Sequence, residues 1–116
     1  MTDSHDKNCV FCKIIDGLIP SERLYEDDKM IIIRDIQPKA KIHLLMIPKE
    51  HYKDITSLDQ RTAEDLGLCL LKLKELSPVL GIDGGFRLII NRGERAGQTV
   101  FHLHIHILAG GGLIGF

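Results

Sequence analysis

The chain has 116 residues, enough for one hydrophobic core and too few for two domains. Charged residues make up 27% and hydrophobic ones 44%, and the net charge of -1 supplies no broad cationic field for nucleic acid or an anionic membrane, so an anionic ligand must be held by a local site. No run approaches the ~18 apolar residues of a membrane span, and the polar start lacks the hydrophobic stretch of a secretory signal. A cytoplasmic protein is expected, in which three cysteines argue for thiols or metal ligation over a disulfide framework.

Residues 1–8 read as a flexible tail and residues 9–116 as a single domain, with no internal repeat, low-complexity segment or linker. Residues 11–16, stopped by Gly17 and Pro20, predict a short helix. Strands over residues 23–25 and 30–34 flank the Glu26-Asp27-Asp28-Lys29 turn as a hairpin, and a third strand over 42–47 ends at Pro48. Ser57, with Gln60 three residues later, has the form of a capping box and opens a helix that runs to about residue 76, ahead of Pro78 and Gly81. On that helix Leu66, Cys69, Leu70, Leu73 and Leu76 share the face expected against the sheet. Leu68 and Leu71 point the other way, as scattered surface leucines or as a subunit contact. Strands over 86–91 and 101–108 complete an α+β arrangement, an antiparallel sheet of about five strands with its helices mainly on one side.

The last strand holds the most informative run, Phe101-His102-Leu103-His104-Ile105-His106-Ile107. Strict alternation has the period of a β-strand, so the three imidazoles project to one face and Leu103, Ile105 and Ile107 to the other. Such a stripe can hold a metal, attack an electrophile or grip an anion near neutral pH. Ahead of it lies a polar loop, residues 91–99, whose two glycines admit backbone close to a ligand and whose hydroxyl and amides donate hydrogen bonds. The loop suits phosphate but has the spacing of neither a Walker loop nor a dinucleotide fingerprint. Cys9-x-x-Cys12 has the spacing of half a tetrahedral zinc site; two idle buried thiols or a redox dithiol are the alternatives. Cys69, among leucines, reads as core, and His5 in the tail carries no reading.

Residues 98–108 resemble the signature of the histidine triad (HIT) family, in which histidines alternate with hydrophobic residues. Beyond it, Phe11-Cys12-Lys13-Ile14-Ile15, Ile19-Pro20, Tyr25-Glu26-Asp27-Asp28, Asp35-Ile36-Gln37-Pro38, the run from His43 through Pro48 to His51, and Gly85-Phe86-Arg87 through Asn91 are similar to the nucleoside phosphoramidase branch, covering residues 9–108. The resemblance implies a HIT-like fold with one long and one short helix, and a homodimer paired partly through the long helix. It implies hydrolysis of purine nucleoside phosphoramidates to a nucleoside monophosphate such as AMP, by way of a nucleotidyl-histidine intermediate.

By the same resemblance His104 is the nucleophile, and His106 contacts the α-phosphate and the leaving group. His43 is a further pocket histidine, expected to support or orient His104. Asn91, Gly97 and Thr99 match phosphate and leaving-group contacts, Gln98 stands in the signature beside them, and Asp35 matches the carboxylate that takes the ribose hydroxyls. Phe11, Ile14, Ile33 and Leu45 form the apolar slot for the base, although Ile14 and Leu45 serve equally well as core. In zinc-bearing members His51 and His102 complete the ligand set with Cys9 and Cys12, a closed structural site that ties the N-terminal segment to the sheet. No organic cofactor is expected.

A glutamine in place of His106 would have pointed to nucleotidyl transfer. Two other functions compete: a dinucleoside polyphosphate hydrolase of the sister branch, and a nucleotide-binding or zinc-dependent interaction protein with incidental hydrolysis. Many relatives end in a tryptophan-containing tail that reaches the partner's active site, whereas this chain continues Ala109-Gly110-Gly111-Gly112-Leu113-Ile114-Gly115-Phe116, a flexible end.

Overall fold

Met30-Ile31-Ile32-Ile33 and Leu44-Leu45-Met46-Ile47 are unbroken apolar runs, and strands of that composition need cover on both faces. In the computed structural model, which describes residues 8–115, they form the central strands β2 (Met30–Arg34) and β3 (Ile42–Pro48). Asp27 sets the hairpin that leads into β2 from β1 (Tyr25–Glu26), its Oδ1 accepting the amides of Lys29 at 2.8 Å and Met30 at 2.9 Å. With β4 (Phe86–Ile89) and β5 (Ile105–Ala109) the sheet runs β1-β2-β3-β5-β4, antiparallel throughout.

The two helices cover opposite faces. Leu66, Cys69 and Leu73 of α2 (Gln60–Leu76) pack on Met30, Ile32, Leu44, Met46, Leu103, Ile105 and Ile107. Phe11, Cys12 and Ile14 of α1 (Val10–Ile15) pack on Ile31, Ile33, Leu45 and Ile47. The expected one-sided packing is therefore corrected, because alternate residues of β2 and β3 supply both cores. Among the described residues no helix is long and apolar enough to cross a membrane.

Several expected boundaries shift. The capping box of α2 is Asp59 with Thr62: Asp59 Oδ1 accepts the Thr62 amide at 2.9 Å and Thr62 Oγ1 accepts the Asp59 amide at 2.8 Å. Ser57 instead closes a 3₁₀ turn, Ile55–Ser57, capped by Asp54. Leu70 is 39% exposed, off the inward line of Leu66, Cys69 and Leu73, whereas Leu68 and Leu71 are exposed as expected. The last strand starts only at Ile105, so residues 101–104 approach it outside the ladder, with the Leu103 amide donating to Tyr52 O at 2.8 Å. Residues 1–7, with most of the expected tail and His5, and Phe116 lie outside the described residues.

Candidate active site

The face of the sheet under α1 carries a two-part cleft. One part, about 400 Å³, gathers the polar side chains Asp35, Gln37, Lys39, His43, Asn91, Thr99, His104 and His106 around Gly97, with Ile89 and Leu108 as aliphatic walls. The other, about 480 Å³, is lined by Phe11, Ile14, Ile33, Leu45 and Val100. Asp35, Gln37, Thr99, His104 and His106 border both, so an apolar slot opens onto a polar pocket across the two histidines. Register explains the placement: Leu45 pairs with both Ile33 and His106, and Ile89 pairs with His106, which puts these side chains on one face.

Among the sequence candidates, Gln98 does not line the cleft. It is buried, accepts the Gly93 amide at 2.8 Å, and donates to Lys53 O at 2.8 Å and Val100 O at 3.1 Å. Those three bonds use its amide to shape the loop carrying Asn91, Gly97 and Thr99, where Gly97 takes a φ of 99° that favours glycine.

Hydrogen bonds fix where the imidazole protons sit. His104 Nδ1 lies 2.7 Å from the carbonyl of His102, which can only accept, so Nδ1 carries the proton and Nε2 keeps its lone pair. The ring of Phe11 meets His104 edge-on, with centroids 4.9 Å apart. Burial pulls the His104 pKa below its ordinary value, outweighing the hydrogen bond to His102 and the charge of Asp35. Burial likewise lowers His106, helped by the neighbouring His104 and His43.

His43 faces His106, not His104. Its Nδ1 accepts the Lys39 amide at 2.9 Å, which leaves the proton on Nε2. That nitrogen lies 2.9 Å from His106 Nδ1 and 3.3 Å from Asp35 Oδ2. His106 Nδ1 is then an acceptor, and its own proton sits on Nε2. Asp35, His43 and His106 are close enough to suggest a metal site. The Lys39 amide argues otherwise, since a protonated Nε2 on His43 has no lone pair to give. Lys39 acts here through its backbone, which no side-chain pattern in the sequence could reveal; Gln37 and Val100 are further lining residues, within the matched segments but given no role there.

Beside the cleft, Cys9, Cys12, His51 and His102 bring four metal-ligating atoms within 4.8 Å of one another. Cys9 is the N-cap of α1 and Cys12 lies in its first turn. Cys9 Sγ is 3.3 Å and Cys12 Sγ 3.4 Å from His102 Nδ1, and His51 Nδ1 is 3.2 Å from both Cys12 Sγ and His102 Nδ1. His102 donates Nε2–H to Pro48 O at 2.7 Å, so its Nδ1 turns an unprotonated lone pair toward the cluster. The cluster could hold a metal. Cys69 stays in the core under α2, its thiol pushed up to about 11 by burial.

The HIT domain model matches residues 16–112. Protein HitA of Neisseria gonorrhoeae is 44% identical over 101 residues, spanning 87% of this chain and 94% of that protein. A HIT family hydrolase from Clostridium thermocellum superposes with a TM-score of 0.90 at 43% identity, covering 97% of this chain and 98% of its own. A histidine triad nucleotide-binding protein from Candida albicans superposes with a TM-score of 0.77 at 37% identity, over 86% of this chain and 73% of its own. The chain belongs to the HIT domain family.

Proposed function

We propose that the chain hydrolyses purine nucleoside phosphoramidates to a nucleoside monophosphate and an amine through a nucleotidyl-His104 intermediate. The observation that carries this reading is the His104 Nδ1–H bond to the His102 carbonyl, which leaves Nε2 as a lone pair at the junction of the apolar slot and the polar pocket. An attacking nitrogen is needed there if the base fills the slot and the phosphate meets Asn91, Gly97 and Thr99. His104 Nε2 forms a bond to phosphorus as the bond to the amine breaks. The Nε2–H of His106 is the donor for the departing nitrogen, and the water that cleaves the intermediate restores that proton and returns the lone pair to His104. Asp35 offers a carboxylate to the ribose hydroxyls. The hydrolase function of the clostridial relative and the nucleotide binding of the Candida protein agree with this assignment.

Turnover of adenosine 5'-phosphoramidate against diadenosine polyphosphate tests the substrate class. The phosphoramidate is expected to be hydrolysed with the higher kcat/KM; preference for the dinucleotide overturns the assignment in favour of the sister chemistry.

The metal we assign to the cysteine-histidine cluster is zinc. A tetrahedron with Zn–N of about 2.05 Å and Zn–S of about 2.3 Å has edges of roughly 3.3 Å between nitrogens and 3.6 Å between nitrogen and sulfur. The separations of 3.2–3.4 Å in the cluster approach those edges, and two thiols with two imidazoles are a donor set zinc favours. Four protein ligands leave no open position, which makes the role structural. We also propose a homodimer. Leu68 and Leu71 are 50% and 59% exposed on α2. Phe86 and Leu88, paired with Ala109 and Ile107 of the core under α2, project to the α2 side of the sheet on its edge strand β4, each 39% exposed.

A further inference from the structure

Resting on the reading of His104 as the nucleophile, we propose that His102 is a positioning residue, through which the metal cluster sets the orientation of His104. His102 serves two sites with two ends of one residue. Its imidazole, fully buried, points Nδ1 among Cys9, Cys12 and His51, and its carbonyl, 2.7 Å from His104 Nδ1, selects the tautomer that leaves Nε2 unprotonated.

Leu103 is buried in the core under α2, and Lys53 Nζ lies 5.5 Å over the Phe101 ring. Residues 101–104 precede the β5 ladder, and the backbone bond from Leu103 to Tyr52 O anchors them to the same connection that carries His51. The His102 ring is held by Pro48 O on one side and by the cluster on the other, and the carbonyl of the same residue meets His104 Nδ1. A second contact runs in parallel. Phe11 stands next to Cys12 on α1, and its ring meets both His102, at 6.0 Å, and His104, at 4.9 Å. Fixing the thiols of α1 thus fixes two of the neighbours that orient the nucleophile. Residues that orient first-contact groups commonly change activity by about 10–100-fold when lost.

The test is nitrogen NMR of protein labelled in its histidine rings, recorded with zinc bound, after chelation and after reloading. In the zinc form His104 is expected as a single tautomer protonated at Nδ1. Chelation should populate the Nε2–H tautomer and cut kcat about tenfold or more; reloading should restore both. Cys9→Ser, which removes a ligand whose own side chain does not line the cleft, should reproduce the chelated spectrum, so the result does not hang on the folding of a His102 variant.

The His43–His106 pair serves as the control. If its signals collapse together with those of His104, the cluster acts through global stability and the coupling is overturned. Coupling is overturned equally by a protein that binds no stoichiometric zinc, or by one that loses zinc while the His104 tautomer and kcat hold. The tautomer readout needs no substrate, so an error in the substrate class or in the nucleophile shows up in turnover and leaves this outcome separate.

Discussion

His104 and His106 stand two residues apart on one face, yet the fold gives them opposite tautomers. A carbonyl faces Nδ1 of His104 and a protonated nitrogen faces Nδ1 of His106, so one ring presents a lone pair and the other a proton. Removing the donor by His106→Ala is expected to lower kcat by about 10²–10⁴-fold, the usual range for an acid–base group. His43→Ala should lower it less, because the ring of His106 remains but its tautomer is no longer held. Both kcat effects are read from steady-state rates on one substrate, and a larger loss in His43→Ala than in His106→Ala contradicts the order of the relay. Burial lowers the pKa of both His104 and His106, so each stays neutral to a lower pH than a free imidazole. The nucleophilic form of His104 persists as pH falls, and the acid limb of kcat/KM is expected below about 6.5; a limb above that value contradicts the assignment.

The alternation in the sequence already placed His102, His104 and His106 on one face, and the resemblance to the HIT family marked Asp35 and the residues of the loop. Which atoms carry protons was not legible, because the deciding partners are the His102 carbonyl and the Lys39 amide, and every residue has a carbonyl. Gln98 shows the converse: its side chain has the chemistry of a ligand donor, but three bonds turn it into the loop.

At the scale of elements, apolar pattern decided more than propensity. The buried line of α2 at Leu66, Cys69 and Leu73 follows the 3–4 spacing of a helix face, and Leu70 lies one residue off it. Leu73→Ala is expected to cost about 2–5 kcal/mol by leaving a cavity. Leu70→Ala should cost well under half of that in urea unfolding, and equal losses would mean that α2 is rotated. The apolar runs of β2 and β3 were visible in the sequence, but their consequence, a helix on each face, follows only when the short helix from Cys9 is seen to need a surface. The start of α2 was misread because Ser57-x-x-Gln60 and Asp59-x-x-Thr62 overlap, and the carboxylate won. Its two bonds from Thr62 hold the Asp59 carboxyl below the usual range, so the cap contributes stability above the unfolded carboxyl pKa and loses it as pH falls through the folded one. Asp59→Ala should lower Tm at neutral pH by more than Ser57→Ala does.

At the scale of the whole molecule, the edge of the sheet at β4 and the outer leucines of α2 ask for a partner. Leu68 and Leu71 were legible as a second apolar strip, whereas Phe86 and Leu88 read as one more strand until the strand order put β4 at the edge. Sedimentation should find a dimer at micromolar concentration, with Leu71→Glu shifted toward monomer; a monomeric parent protein rejects the interface. Elemental analysis of protein purified without added metal should give about one zinc per chain, with chelation lowering Tm, because metal binding energy appears as folding energy.

The central claim is that His104 attacks phosphorus, and rapid quench of the protein and a labelled adenosine phosphoramidate into alkaline denaturant, where a nucleotidyl-imidazole survives, tests it most directly. Label is expected on His104 in the parent protein, and none in His104→Ala, whose kcat should fall by several orders of magnitude while nucleotide binding survives through Asp35 and the apolar slot. Near-normal turnover by His104→Ala, or label mapped reproducibly to His43 or His106, contradicts the account.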